Sequence, residues 1–306
     1  MRLLRALAGI SALLTILVIV LGATVRATDS GLSCPDWPTC YGHWLPLPSD
    51  IPEDAGYEYH QVMLEWVHRL LVGFVLGPLV LLTALVAWWR RPDRSELGIC
   101  AFLLAAVLLL QAAMGGVTVL DRNSPWSVAV HLVLAALLLT ILLYVFERAG
   151  ARPAVAERSI RLLSRLAWLL VLAAAASAAV VAKAGASLAC PDWPLCQGRL
   201  LPDLSDSFVH LQFAHRLLAA LAILATAALY LRARREPATR GLAGGALLLV
   251  LATALLAGHA IYAYWPVWAQ VVHQALAVLA FAHLALLLAR SWPLAERAGA
   301  AVEAEG

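Results

Sequence analysis

The stretch "SCPDWPTC" occupies residues 33–40, and a near-copy, "ACPDWPLC", occupies residues 189–196. The two cysteine-bracketed CPDWPxC segments lie 156 residues apart in a chain of 306, close to half its length. The likeness continues on both sides. Upstream and across the loop, "GATVRATDSGLSCPDWPTCYG" (22–42) matches "VVAKAGASLACPDWPLCQG" (180–198). Downstream, "LEWVHRLLVG" (64–73) matches "LQFAHRLLAA" (211–220), now at an offset of 147, so the second loop is nine residues shorter. Further on, Pro125-Trp126 followed by His131 resembles Trp265-Pro266 followed by His273, at an offset of 142. The chain is an internal repeat.

Between the motifs the sequence is apolar. It is 62% hydrophobic and only 13% charged, where a soluble domain carries about 25% charged residues. Such a chain has too little polar surface to cover a water-soluble core. Eight apolar runs are long enough to cross a bilayer, at 7–25, 62–89, 97–120, 126–146, 162–182, 209–231, 242–262 and 267–289. The first has no convincing signal-peptide cleavage site, and the repeat requires it as a span. The expected fold class is an all-α polytopic membrane protein of eight transmembrane helices. They form two tandem four-helix bundles related by a pseudo-twofold axis along the membrane normal. The units are residues 1–147 and 162–306, joined by an arginine-rich cytoplasmic linker at 148–161.

Arginine placement orients them. With both termini cytoplasmic, the inner segments hold 16 basic residues and the outer segments four: Arg26, Arg122, Lys183 and Arg199. Both CPDWPxC loops then face outward from a bacterial plasma (inner) membrane. Net charge is only +3, and no nucleic-acid partner is expected. On an oxidising face, paired cysteines become disulfides, so Cys34–Cys40 and Cys190–Cys196 are the expected pairs. A metal knuckle is the rival reading, without a histidine cluster to support it. Cys100 reads as a small buried apolar residue.

Four histidines occupy repeat-matched positions: His68 and His215 on the second helix of each unit, His131 and His273 on the fourth. All lie one to two turns below the outer surface. Two imidazoles facing each other across a four-helix core make a bis-histidine haem site. Small residues in "GPL" (77–79) and "MGG" (114–116) leave room for the macrocycle. The competing reading of any one of them is a helix–helix hydrogen-bonding residue. His259 stands near a haem edge in this scheme, without a histidine counterpart. Arg69 and Arg216 directly follow the second-helix histidines, and Arg26 and Lys183 stand at matching outer ends of the first and fifth spans. These four cations are candidates for binding haem propionates; snorkelling to headgroups is the alternative.

The units differ three residues before the second-helix histidine, where unit one has Glu65 and unit two has Gln212. Positions i and i+3 share a helix face, which puts Glu65 beside His68. An intramembrane carboxylate is costly and functional by default. It suits proton abstraction or stabilisation of developing positive charge; a simple ion pair with Arg69 or Arg26 is the plainer role. One reaction site and one electron site follow from the asymmetry.

"SGLSCPDWP", "EWVHR", the second CPDWPxC and "FAHR" together resemble the haem A synthase family, across essentially all eight spans. The resemblance implies oxidation of a haem O methyl group to a formyl group, through an alcohol, to give haem A. It implies that His68 and His131 flank the substrate haem, with Glu65 as the catalytic acid–base or charge-stabilising residue. His215 and His273 would be the axial ligands of a resident haem b that passes electrons on. It also implies partners: haem O synthase (protohaem farnesyltransferase) as haem O source, cytochrome oxidase assembly as haem A recipient, and a membrane electron acceptor such as a quinone. A homo-oligomer is compatible with this topology. Segment 45–61 has no counterpart in unit two and is placed to shape substrate entry. The competing functions are a two-haem b-type cytochrome moving electrons from quinol, and a haem-handling membrane protein without chemistry.

Overall fold

The computed structural model describes residues 1–92, 94–150 and 157–291. Residues 151–156 of the linker, including Arg152, and the tail from Trp292 onward, including Arg297, lie outside the described residues. Eight helices are long and apolar enough to cross a membrane: α1 (Arg2–Ala27), α2 (Tyr59–Trp89), α3 (Glu96–Leu120), α4 (Pro125–Ala149), α5 (Arg158–Lys183), α6 (Ser207–Ala233), α7 (Pro237–Tyr262) and α8 (Val267–Ser291). Among the described residues no strand forms. Helices alone satisfy every backbone group within one segment, as lipid demands. Each helix extends beyond its apolar run, because hydropathy registers only the hydrocarbon depth while the ends continue into the polar interface.

Local chemistry sets the ends. Pro125 and Pro237 open α4 and α7, where the missing N–H costs nothing. Ser124 and Asp206 cap α4 and α6 by accepting from Ser127 N and Phe208 N. The second span departs from regular geometry. It widens into a π-helical turn at Leu71–Leu76, directly before Gly77 and Pro78. Proline offers no N–H to the carbonyl four residues back and its ring crowds that carbonyl, so the preceding turn opens. Gly77 is needed there, since a Cβ would stand 3.0 Å from the Val72 carbonyl oxygen. Its counterpart α6 contains no proline and runs unbroken.

Helices α1, α4, α5 and α8 pack on one another in the middle, with α2 and α3 flanking one side and α6 and α7 the other. Leu4, Leu138, Leu139, Leu142, Leu284 and Leu287 fill this interior, while leucines such as Leu109, Leu224 and Leu248 project outward, as lipid-facing residues do. Two polar contacts join helices inside the layer. Ser11 and Thr83 share a hydrogen bond of 3.1 Å between α1 and α2. Arg290 on α8 donates to Glu147 on α4 at 2.9 Å.

Candidate functional site

Each CPDWPxC segment folds into a small lid, and each letter of the motif has a physical task. Cys34–Cys40 and Cys190–Cys196 are disulfide-bonded. A backbone bridge pairs Cys40 with His43, and another pairs Cys196 with Arg199. The chain then turns back through residues of positive φ, Tyr41-Gly42 and Gln197-Gly198. The motif aspartate receives the amides of that turn. Tyr41 N and Gly42 N donate to Asp36 at 2.6 and 3.0 Å; Gln197 N and Gly198 N donate to Asp192 at 2.7 and 2.8 Å. Burial opposes the Asp36 charge, but the bonds from Thr39, Gly42 and Tyr41 together outweigh it and hold its carboxyl below the usual range. The motif tryptophan lies on a glycine of the third helix of its half. A Cβ at Gly116 would lie 3.6 Å from the Trp37 ring, and one at Gly258 only 2.7 Å from the Trp193 ring. Tyr262 further fixes the second lid, accepting from Trp193 N and donating to Trp193 O, both at 3.2 Å.

Arg69 and Arg216 tie the lids down. Arg69 donates to the carbonyls of Cys34, Asp36 and Thr39. Arg216 donates to those of Cys190, Asp192 and Leu195. Three carbonyls converging on one planar guanidinium fix the lid relative to the helix below.

Glu65 distinguishes the halves. The residue is 3% exposed. Oε1 pairs with Arg69 at 2.6 Å, and Oε2 accepts from Ser33 Oγ at 3.0 Å and from Cys34 N at 2.9 Å. In the other half Gln212 donates to the Ser187 carbonyl at 3.2 Å and its Oε1 has no partner. Ala189, where the first lid has Ser33, offers no hydroxyl. The carboxylate, its serine and its arginine thus form one buried network beneath the first lid, which the second lacks.

The four histidines are half-buried. His68 packs on Gly22, where a Cβ would stand 3.2 Å from its ring, and His131 packs on Gly115 at 3.4 Å. Their hydrogen bonds differ by half. His273 Nδ1 lies 3.2 Å from the Thr253 carbonyl; a carbonyl only accepts, so Nδ1 carries the hydrogen. His215 Nδ1 lies 3.0 Å from Ser177 Oγ. The serine's one hydrogen goes to the Ala174 carbonyl at 2.8 Å, so the histidine is again the donor. In both rings Nε2 therefore keeps its lone pair, the arrangement of a metal-binding histidine with its other nitrogen anchored. In the first half, Nδ1 of both His68 and His131 is buried without a partner. His131 Nε2 instead faces the Gln111 amide at 3.3 Å. The imidazoles are nitrogen donors of the kind a haem iron takes; Nδ1 is anchored in both rings of the second half and in neither ring of the first, where His131 Nε2 meets Gln111 instead.

Arg26 and Lys183 are not register equivalents. Thr28 N donates to Thr24 O and Ala184 N to Val180 O, while Ser30 N donates to Val25 O and Ala186 N to Val181 O. These bonds recur at a spacing of 156, which sets Arg26 opposite Ala182 and Lys183 opposite Ala27. Both cations line one cleft, together with Asp29, Tyr264, Trp265 and Gln270.

The model of the COX15-CtaA family, described as cytochrome oxidase assembly protein, matches residues 5–285. The chain belongs to this family. Similar COX15-CtaA relatives carry the name Heme A synthase. The protein from Rhodopseudomonas palustris is 32% identical over 96% of this chain and 92% of its own length. That from Symbiobacterium thermophilum is 32% identical over 90% and 91%, and that from an Exiguobacterium species is 30% identical over 80% and 81%.

Several features of this COX15-CtaA chain were not read from its sequence. Ser177 sits in an alanine run with no counterpart serine, and the Thr253 contact is a backbone carbonyl. Gln111 and Gly258 carried a signal: both fall at the 142-residue offset set by the fourth-helix histidines, opposite Thr253 and Gly116. His283 is half-buried and lies 2.8 Å from the Leu279 carbonyl through Nδ1.

Proposed function

We propose that this chain converts haem O to haem A. A methyl group is oxidised through an alcohol to a formyl group, and the electrons leave through a resident haem b. Family membership and relatives named Heme A synthase support the reaction class. The observation that supports a division of labour is the anchoring of His215 and His273 by Ser177 and Thr253, set against the unpartnered Nδ1 atoms of His68 and His131. A pair fixed in tautomer and direction suits a permanently held haem. A pair without such anchors suits a substrate that must enter and leave.

Residues 1–147 are then the substrate unit, 148–161 the cytoplasmic linker, and 162–306 the haem b unit. His68 and His131 hold haem O. Haem b, held by His215 and His273, supplies one-electron acceptance. Oxidising a methyl group to a formyl group with the electrons leaving through haem b takes its oxygen atom from water and releases four protons with the four electrons, and Glu65, a buried carboxylate on the same helix face as His68, takes up one of those protons. Arg69 balances its charge. The lids close the outer end of each slot and limit the entry of bulk water. Segment 45–61 extends the first lid: Trp66 Nε1 donates to the Trp44 carbonyl at 2.6 Å, and Ile51 and Tyr57 pack near the disulfide. These contacts support a role for it in shaping substrate entry. Arg26, Lys183, Arg69 and Arg216 remain the propionate-binding candidates. Both lids face outward from the plasma membrane and both termini face the cytoplasm. Haem O comes from haem O synthase, haem A goes to cytochrome oxidase assembly, and a quinone-class acceptor takes the electrons.

The test supplies haem O to membranes containing the full chain and identifies the extracted haems by mass. Haem A formed by the wild type and lost in Glu65→Gln is the expected result. Two haem b per chain with no haem A would favour the electron carrier.

A further inference from the structure

The cleft lined by Arg26 and Lys183 has a volume of about 320 Å³ and lies where the end of α1 meets the end of α5 and the α7–α8 turn. The repeat predicts that Arg26 serves the haem of its own half. The structure turns it the other way. Its Nη1 donates to Gln270 Oε1 at 3.3 Å. Gln270 stands three residues, nearly one turn, before His273 on α8, on the same face and nearer the outer surface. Gln270 is itself oriented, donating to the Trp265 carbonyl at 3.1 Å. The Trp265 ring meets the His273 ring edge-on at 5.5 Å. Asp29 is the acidic residue lining the cleft, so cations outnumber it two to one.

We infer that Arg26, from the N-terminal half, binds a propionate carboxylate of the haem held between His215 and His273, with Lys183 completing a two-cation clamp across the halves. This deepens the proposed function and rests on it. An open, half-neutralised cleft one turn above an axial ligand, on the outer side, is where the carboxylates of an outward-hanging haem arrive. Lipid phosphate offers the same anionic oxygens, and the two sources have different consequences. A cation paired with a propionate stabilises the reduced iron, whose net charge is one unit more negative; a cation holding a headgroup does not act on the iron.

The experiment is a redox titration of the b-type haem in the purified full chain, with Arg26→Gln, Lys183→Gln and the charge-keeping Arg26→Lys. The haem is assigned by its loss in His273→Ala. Arg26→Gln is expected to shift the reduced-to-oxidised ratio at fixed potential about tenfold toward the oxidised form, ~59 mV for a one-electron couple. Lys183→Gln should shift it in the same direction, and Arg26→Lys should restore most of the wild-type value. An unchanged potential in both neutral variants overturns the clamp while leaving haem b in place. A b-type haem that survives His273→Ala overturns the clamp together with the assignment of haem b to this pair.

Discussion

Ser177 Oγ lies 3.0 Å from His215 Nδ1 with its own hydrogen committed to the Ala174 carbonyl, so the serine accepts and the histidine keeps a bare Nε2. The residue 156 positions earlier is Leu21, which cannot do this. Removing an outer partner of a ligating histidine costs about 10- to 100-fold in metal affinity. Ser177→Ala should therefore lose haem b on dilution while the full chain remains folded by helical content. Haem retention equal to wild type would show that the anchor is not used.

Glu65 both bonds the first lid and stands beside His68, and the two roles separate by mutation. Glu65→Gln should lower haem A formation by about 10²- to 10⁴-fold, the range of general acid–base catalysis, without changing haem b content. Ser33→Ala removes one hydrogen bond to the carboxylate and keeps the acid, so it should cost far less, about threefold to tenfold. Equal losses in both variants would make Glu65 a lid fastener rather than a catalytic group.

The two lid tryptophans tolerate crowding differently. A methyl at Gly258 would sit 2.7 Å from the Trp193 ring, whose backbone Tyr262 holds through two hydrogen bonds, whereas one at Gly116 would sit 3.6 Å from Trp37. Gly258→Ala should destabilise the second lid by about 1–3 kcal/mol, as overpacking does. Gly116→Ala should be close to neutral. Thermal unfolding in detergent distinguishes them, and a larger loss for Gly116→Ala would contradict the packing.

The lids should also report on acid. Asp36 has its carboxyl held below the usual range by the Thr39, Gly42 and Tyr41 bonds, which together outweigh the opposing effect of burial. A depressed carboxylate contributes stability that is present above its unfolded value of about 4 and is lost as pH falls through the folded one. Amide exchange at Tyr41 and Gly42, corrected for intrinsic rates, should stay slow from neutral pH to about pH 5 and quicken only below about 4. Asp36→Asn should be fast throughout. Loosening between pH 7 and 5 in the wild type would rule this coupling out.

How much of this was legible follows from what kind of group does each task. Histidines 68, 131, 215 and 273 were readable because a rare residue type recurred at fixed offsets within apolar runs. The disulfides were readable from their short spacing and the arginine asymmetry. Arg69 and Arg216 were read as candidates for haem carboxylates; their bonds to lid carbonyls were not legible, because carbonyl directions depend on loop conformation rather than composition. The anchors of the second histidine pair were hidden because one is a backbone oxygen and the other a serine among alanines. Arg26 and Lys183 looked equivalent because an alignment with a one-residue gap hides a rotation of about 100° around the helix. The π turn before Pro78 had a signal in that proline, but a hydropathy scan carries no record of backbone pitch.

The central claim is that the two histidine pairs hold different haems. The direct measurement is haem extraction from the purified full chain and from His215→Ala and His68→Ala variants, after expression with haem O available. The account predicts haem b together with haem O or haem A in the wild type. It predicts loss of haem b alone in His215→Ala, and loss of haem O and haem A alone in His68→Ala. Haem b lost from the His68 variant and retained in the His215 variant would contradict it.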